Sequence, residues 1–281
     1  WVPQEYRYQR LNELGVPTTF SVDVHGTEFR DALSLELFIE CKYRHDGVKW
    51  IFAPEEFSDT GIAEFRDTFV ILDELCPGRE FDRAVLYHSA GGYEACGKGM
   101  ELTGGSYNPK TIEQAIQQLR FCLADKVVES MSWQLTATDD FFADMISVFL
   151  PIVVTTAELW RLKPSSTIDA IRRAQELPDV AEPKDILFVC QKPDRELMHH
   201  TKRAFREGIP VEQRDGLASR LRHPYITFGS FDHYVDWFSS QYPSVFVVLD
   251  YARFHDTMTN LLGFMQSSRV TKSRSSPTGQ S

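Results

Sequence analysis

The chain has 281 residues, 42% hydrophobic, 12% aromatic and 25% charged, with a formal net charge of −10. This composition supplies a packed core and excludes global disorder; no apolar run nears the ~20 residues that cross a bilayer, and no signal peptide is visible. The five cysteines are odd in number, widely spaced and never arranged as CxxC, so neither a disulfide framework nor a zinc motif is indicated and a cytoplasmic location is expected.

Gln4 to Arg10 alternates loosely and reads as a first strand, followed by a turn at Gly15-Val16-Pro17. Strands are expected at Thr19–His25, Leu33–Tyr43 and, shorter, Lys49–Phe52. Ile62, Phe65, Phe69 and Leu72 recur at helical spacing, predicting a helix from Ile62 to Leu75 that Pro77-Gly78 ends. A buried strand is expected at Arg83–His88, then a Gly-rich loop from Ser89 to Asn108. The clearest helix, Lys110 to Met131, follows Pro109 and aligns Ile112, Ala115, Ile116, Leu119, Cys122 and Leu123 on one stripe. Beyond it, strands are expected at Phe149–Thr155, Asp185–Cys190 and Val245–Leu249, and helices at Thr167–Leu177, Pro193–Arg206 and Tyr251–Met265. Strands alternating with helices define an α/β class. The expected organisation is a core over residues 1–132, an accessory α/β region over 133–266 and a disordered Ser-rich tail over 267–281.

The chemistry concentrates on two of these strands. Asp23 lies in Phe20-Ser21-Val22-Asp23-Val24, and Glu40-Cys41-Lys42 ends the apolar run Leu37-Phe38-Ile39. Alternation places Glu40 and Lys42 on one face with Phe38, opposite Leu35, Leu37 and Ile39; it likewise groups Ser21, Asp23 and His25 opposite Val22 and Val24. Pairing the strands as a hairpin brings two carboxylates and one ammonium together. Such a trio can hold a divalent metal, activate a water and stabilise a pentacoordinate phosphate. The ordinary alternative is a turn carboxylate at Asp23 and an exposed Glu40–Lys42 ion pair worth under ~1 kcal/mol.

Asp23, Glu40 and Lys42, in this order and on adjacent strands, resemble the signature of the PD-(D/E)XK nuclease superfamily. The resemblance covers roughly the first third of the chain. It implies a restriction-endonuclease-like mixed sheet flanked by helices, here with a C-terminal α/β extension. It also implies Mg²⁺, for which Mn²⁺ substitutes, held by Asp23, Glu40 and the backbone carbonyl of Cys41, with Lys42 assisting a water that hydrolyses DNA phosphodiesters. DNA is then the expected partner, a homodimer is a further expectation, and no membrane is expected. Families of this kind often carry another acidic residue ahead of the first strand, for which Glu5 is a substitute candidate. The rival reading is a module that kept the fold and binds nucleic acid or protein without catalysis.

Charge bears on that choice. A net charge of −10 counts against phosphate binding, yet it is unevenly spread: nine acids face two bases between Glu55 and Asp82, and seven bases face four acids between Arg195 and Arg222. Other motifs are weaker. Gly92 to Lys98 matches GxxxxGK, but Gly99 stands where Ser or Thr is needed and no helix is expected to follow, so a loop with Lys98 at its tip is the better reading. Gln114 and Gln118, four apart, share a helix face expected to be solvated. His25 is expected to be a strand-end polar residue, and Cys41 a buried, inert thiol on the core face. His199-His200 point in different directions, so they share no metal. The aromatics Phe228, Phe231, Tyr234, Trp237, Phe238, Tyr242 and Phe246 are expected in the core.

Overall fold

The computed structural model describes residues 4–11, 15–30, 32–55, 69–76, 79–81, 95–104, 106–108, 110–137, 145–221, 226–267 and 270–272. Its centre is β9 (Ile146–Thr155), ten residues buried throughout. A continuous apolar run of this kind is what a strand covered on both faces requires. β9 lies parallel to β3 (Leu33–Lys42), in register from Leu33↔Ile146 to Lys42↔Thr155, and parallel to β13 (Val245–Asp250) from Ile152 onward. On the side of β3 away from β9, an antiparallel meander adds β2 (Pro17–Arg30) and β1 (Gln4–Leu11).

The sheet continues beyond β13 through β12 (Ile186–Cys190), β7 (Ala95–Thr103), β4 (Lys49–Pro54), β10 (Glu158–Leu162) and β11 (Ala181–Pro183), with β8 (Ser106–Asn108) beside β7, while β6 (Arg79–Phe81) pairs separately with β14 (Val270–Lys272). Parallel and antiparallel pairs alternate along it, so the sheet is mixed. Strands from before and after residue 132 interleave in this one sheet. Residue 132 itself falls inside helix α1 (Lys110–Thr136), the longest described helix.

Four of the described helices pack on one face. The stripe Ile112, Ala115, Ile116, Leu119, Cys122 and Leu123 of α1 is buried as its spacing requires. Beside it pack α3 (Arg195–Gly208), α4 (Val211–Arg220) and α5 (Phe231–Gln241), which bury Leu197, Phe205, Leu217, Tyr234 and Phe238 in the same core. The aromatic-rich segment expected in the core is there. α2 (Ile168–Arg173) is a short exposed helix, truncated relative to the expected Thr167–Leu177. The opposite face buries Leu33, Leu35, Leu37, Ile39, Phe188 and Met258, the last from α6 (Phe254–Ser267).

Three expectations change. Val70–Leu72 is a strand, β5, antiparallel to β9, not the end of a helix. Its alternation is explicit: Val70 and Leu72 enter the helix-covered core while Phe69 and Ile71 enter the other. Residues 95–103 form strand β7 instead of a loop. Their glycines answer to packing, since a Cβ on Gly97 would meet the Glu55 carboxylate at 2.5 Å and one on Gly99 the Phe52 ring at 2.5 Å. The described part of the Gly92–Lys98 motif, residues 95–98, therefore lies in this strand, and Lys98 is not at a loop tip. The strand expected at Arg83–His88 lies outside the described residues, as does most of the expected tail.

Candidate active site

β1 and β2 pair Tyr6 with Val22 but Gln4 with His25, so Glu5 stands opposite both Asp23 and Val24. Two residues against one is a β-bulge, which re-aims side chains and adds local twist. Its consequence reverses part of the expected face assignment. Val22 and His25 point to the same, helix-covered face, while Val24 packs against the other. The expected grouping of Ser21, Asp23 and His25 opposite Val22 and Val24 therefore fails, because the alternation changes phase at Asp23.

Released from the regular ladder, the Asp23 carboxylate takes over the role of a backbone acceptor: Oδ2 accepts the Cys41 amide at 2.7 Å. The last registered pair of β2 and β3 is Val24↔Ile39, which sets Asp23 beside Glu40 just beyond it. Glu40 and Lys42 share the helix-covered face with Phe38, as the period-2 pattern predicts. Lys42 Nζ pairs closely with Glu40 Oε1 and donates to Gln118 Oε1 of α1 at 3.1 Å. Gln118 Nε2 in turn donates to the Ser21 carbonyl at 3.4 Å, tying the helix back to the strand before the bulge.

The two carboxylates differ in setting. Asp23 is exposed, whereas Glu40 is 2% exposed. Lys42 satisfies one oxygen of Glu40, but Oε2 is buried without a hydrogen-bond partner. Burial pushes the Glu40 carboxyl above its ordinary value, Lys42 pulls it back, and the Asp23 charge adds to the rise. A bare, buried carboxylate oxygen beside a second carboxylate suits a hard cation, which needs only one or two protein carboxylates and keeps waters for the rest. Among the described residues no group of three or more His, Cys, Asp or Glu side chains gathers as a metal cage.

The remaining candidates separate from this centre. Cys41 is exposed, contrary to the expected core position, because the covering of that face ends at Ile39. Its thiol is nonetheless held above its usual range, by partial burial first and then by the Asp23 and Glu40 charges, so it is a poor nucleophile. His25 is buried against Glu36, Nε2 to Oε2 at 2.6 Å, and stacks on Phe38. Glu5 bonds Arg7 and faces the bulge from β1. His199 is exposed while His200 is bound to Asp125 at 2.9 Å, so they share no ligand. Gln118, expected on a solvated face, is the residue whose part the sequence hid. Its signal was the boundary of the apolar stripe, between Ile116 and Leu119. Gln114 stays exposed. Comparison with known proteins finds no matching family model, no matching curated protein and no matching solved structure.

Proposed function

We propose that this chain is a metal-dependent nuclease with a restriction-endonuclease-like core, hydrolysing DNA phosphodiesters. The observation that carries the reading is the convergence of Asp23, Glu40 and Lys42, with one Glu40 oxygen bare and buried. Asp23 and Glu40 are the residues that would hold Mg²⁺ or Mn²⁺, with the backbone carbonyl of Cys41 as the third ligand that the resemblance implies. Bound there, the cation supplies Lewis acidity toward a phosphoryl oxygen and a water of lowered pKa. Lys42 presents an ammonium toward the same space, where charge grows on the phosphoryl oxygens during attack. Gln118 fixes the Lys42 rotamer from the helix side, and the bulge fixes the Asp23 approach. The test is supercoiled plasmid incubated with Mg²⁺, with and without chelator, beside Asp23→Ala and Lys42→Ala. Cleavage that survives both substitutions ends this reading.

A second reading has its own observation. The net charge of −10 opposes tight phosphate binding and so favours a module that retains the fold without cutting, binding protein or, through its basic segments alone, nucleic acid. It is preferred if the wild-type chain binds DNA in a salt-dependent way but neither Mg²⁺ nor Mn²⁺ produces nicked plasmid.

A further inference from the structure

Next to the candidate site, on the helix-covered face, lies a groove of about 700 Å³ between β1 and α3, with Phe121 of α1 among its lining residues. Phe121 is less than one helical turn from Gln118, and Phe20, which touches the groove's Arg10, precedes Ser21. The groove and the site thus share helix α1 and the β1–β2 pair, though no residue lines both.

Its cations fall into two kinds. Lys202 and Arg206 are neutralised by Asp236 at 2.7 Å and Asp232 at 3.4 Å. Among the described residues Arg10 and Arg203 have no such carboxylate partner. Among the described residues Arg10 meets only ring faces, its guanidinium 4.4 Å from the centroid of Phe20 and 4.5 Å from that of Phe121, with Nε buried and unbonded. Arg203 donates only to His200 Nδ1, at 3.2 Å, while Asp125 holds the other ring nitrogen. Two half-buried guanidiniums that pair with no carboxylate among the described residues, one of them lying over two ring faces, present N–H forks of the kind that match phosphate oxygens. The acids of the groove, Glu196 and Glu207, are exposed at its rim. Past Arg203 the character reverses: the adjoining cavity of about 650 Å³ is lined by Asp125, Glu129 and Glu207 with Arg203 its one cation among the described residues. A polyanion following the groove stops there.

We infer that this groove binds backbone phosphates of a single nucleic-acid strand flanking the scissile bond, through Arg10 and Arg203. The inference rests on the nuclease reading for the strand's identity. The volume is that of a small-ligand pocket, which admits one strand and not a duplex. The test is fluorescence anisotropy of a labelled single-stranded oligonucleotide in EDTA across ionic strength, so that binding is read apart from cleavage. Each lost phosphate contact lowers the slope of log K against log salt by ~0.7 for a single strand. Arg10→Gln with Arg203→Gln is therefore expected to flatten the slope by ~1.4. Glu207→Gln, which removes a rim charge and cannot gain affinity by misfolding, is expected to tighten binding about threefold at low salt. An unchanged slope in the double variant, no gain in Glu207→Gln, or equal competition by inorganic phosphate overturns the inference. If the slope flattens while the wild type never nicks plasmid, the groove stands and the catalytic reading falls.

Discussion

Glu36 and Glu40 sit on the same strand, on the same helix-covered face, four residues apart along β3, and both are buried. Their surroundings differ completely. Glu36 receives His25 at 2.6 Å, Thr27 at 2.9 Å and Ser34 at 3.2 Å, occupying both oxygens. Burial opposes its charge, yet these donors, His25 foremost, hold its carboxyl below the ordinary value. Glu40 has Lys42 as its one side-chain donor among the described residues, with the Asp23 backbone amide giving lesser help, one oxygen without a hydrogen-bond partner and a carboxyl above the ordinary value. A finished charge of the first kind is structural. An unfinished one costs stability, and proteins tolerate such cost where a ligand or a reaction completes the set.

The contrast is open to attack in order of expected effect. His25→Ala takes from buried Glu36 its closest donor, leaving only the Thr27 and Ser34 hydroxyls, and is expected to cost about 3 kcal/mol in urea unfolding. Lys42→Ala leaves Glu40, already inclined to take up a proton, far less exposed to that penalty, but it is expected to lower plasmid cleavage by ~10²–10³. Were Lys42→Ala to destabilise as much as His25→Ala, the two carboxylates would be equivalent and the distinction would vanish. Gln118→Ala, which frees Lys42 without removing it, is expected to lower cleavage by ~10–100-fold at unchanged oligonucleotide affinity; an equal loss of affinity would make Gln118 a substrate contact instead.

The smallest effect concerns pH. Glu40 has a folded pKa above its unfolded one, so the folded chain binds the extra proton in that window. Stability from this site therefore falls as pH rises from 4.5 through the folded value. Glu36 is the reverse: its contribution is present above 4.5 and is lost as pH falls through its lowered folded value. Glu40→Gln, measured in EDTA, is expected to melt a few degrees higher than wild type near pH 8, at ~2–4 °C per kcal/mol, with the gap closing toward pH 4.5. A gap that widens on acidification would contradict the assigned burial of Glu40. In wild type, Mn²⁺ is expected to raise the melting temperature more at pH 8 than at pH 5, because the cation replaces the proton.

Period-2 patterning carried β3 and the facing of Glu40 and Lys42, since no residue in Leu33–Lys42 interrupts the alternation. It also carried the α1 stripe. It did not carry the bulge, because a bulge adds a residue without changing residue type, and Asp23 looks the same in either phase. Nor did it carry β5, where three apolar residues fit a helix and a strand alike. In β7 the glycines resembled loop punctuation, whereas their small size admits Glu55 and Phe52 from other segments. The interleaving of β9, β13, β12 and β7 is set by pairings far apart along the chain, which local pattern does not encode.

The extra residue in β2 makes chain length, more than side-chain identity, the specification of this corner. Even-numbered positions look toward α1 before it, odd-numbered ones after it, so the strand carries two codes joined at a single splice. Removing one codon at position 24 would merge them, keeping Val22, His25 and Thr27 toward α1 but putting the Asp23 carboxylate on the face where Val24 packs, a change that no point substitution reproduces. Insertions and deletions here are thus expected to be far less tolerated than exchanges of Val24 for another apolar residue.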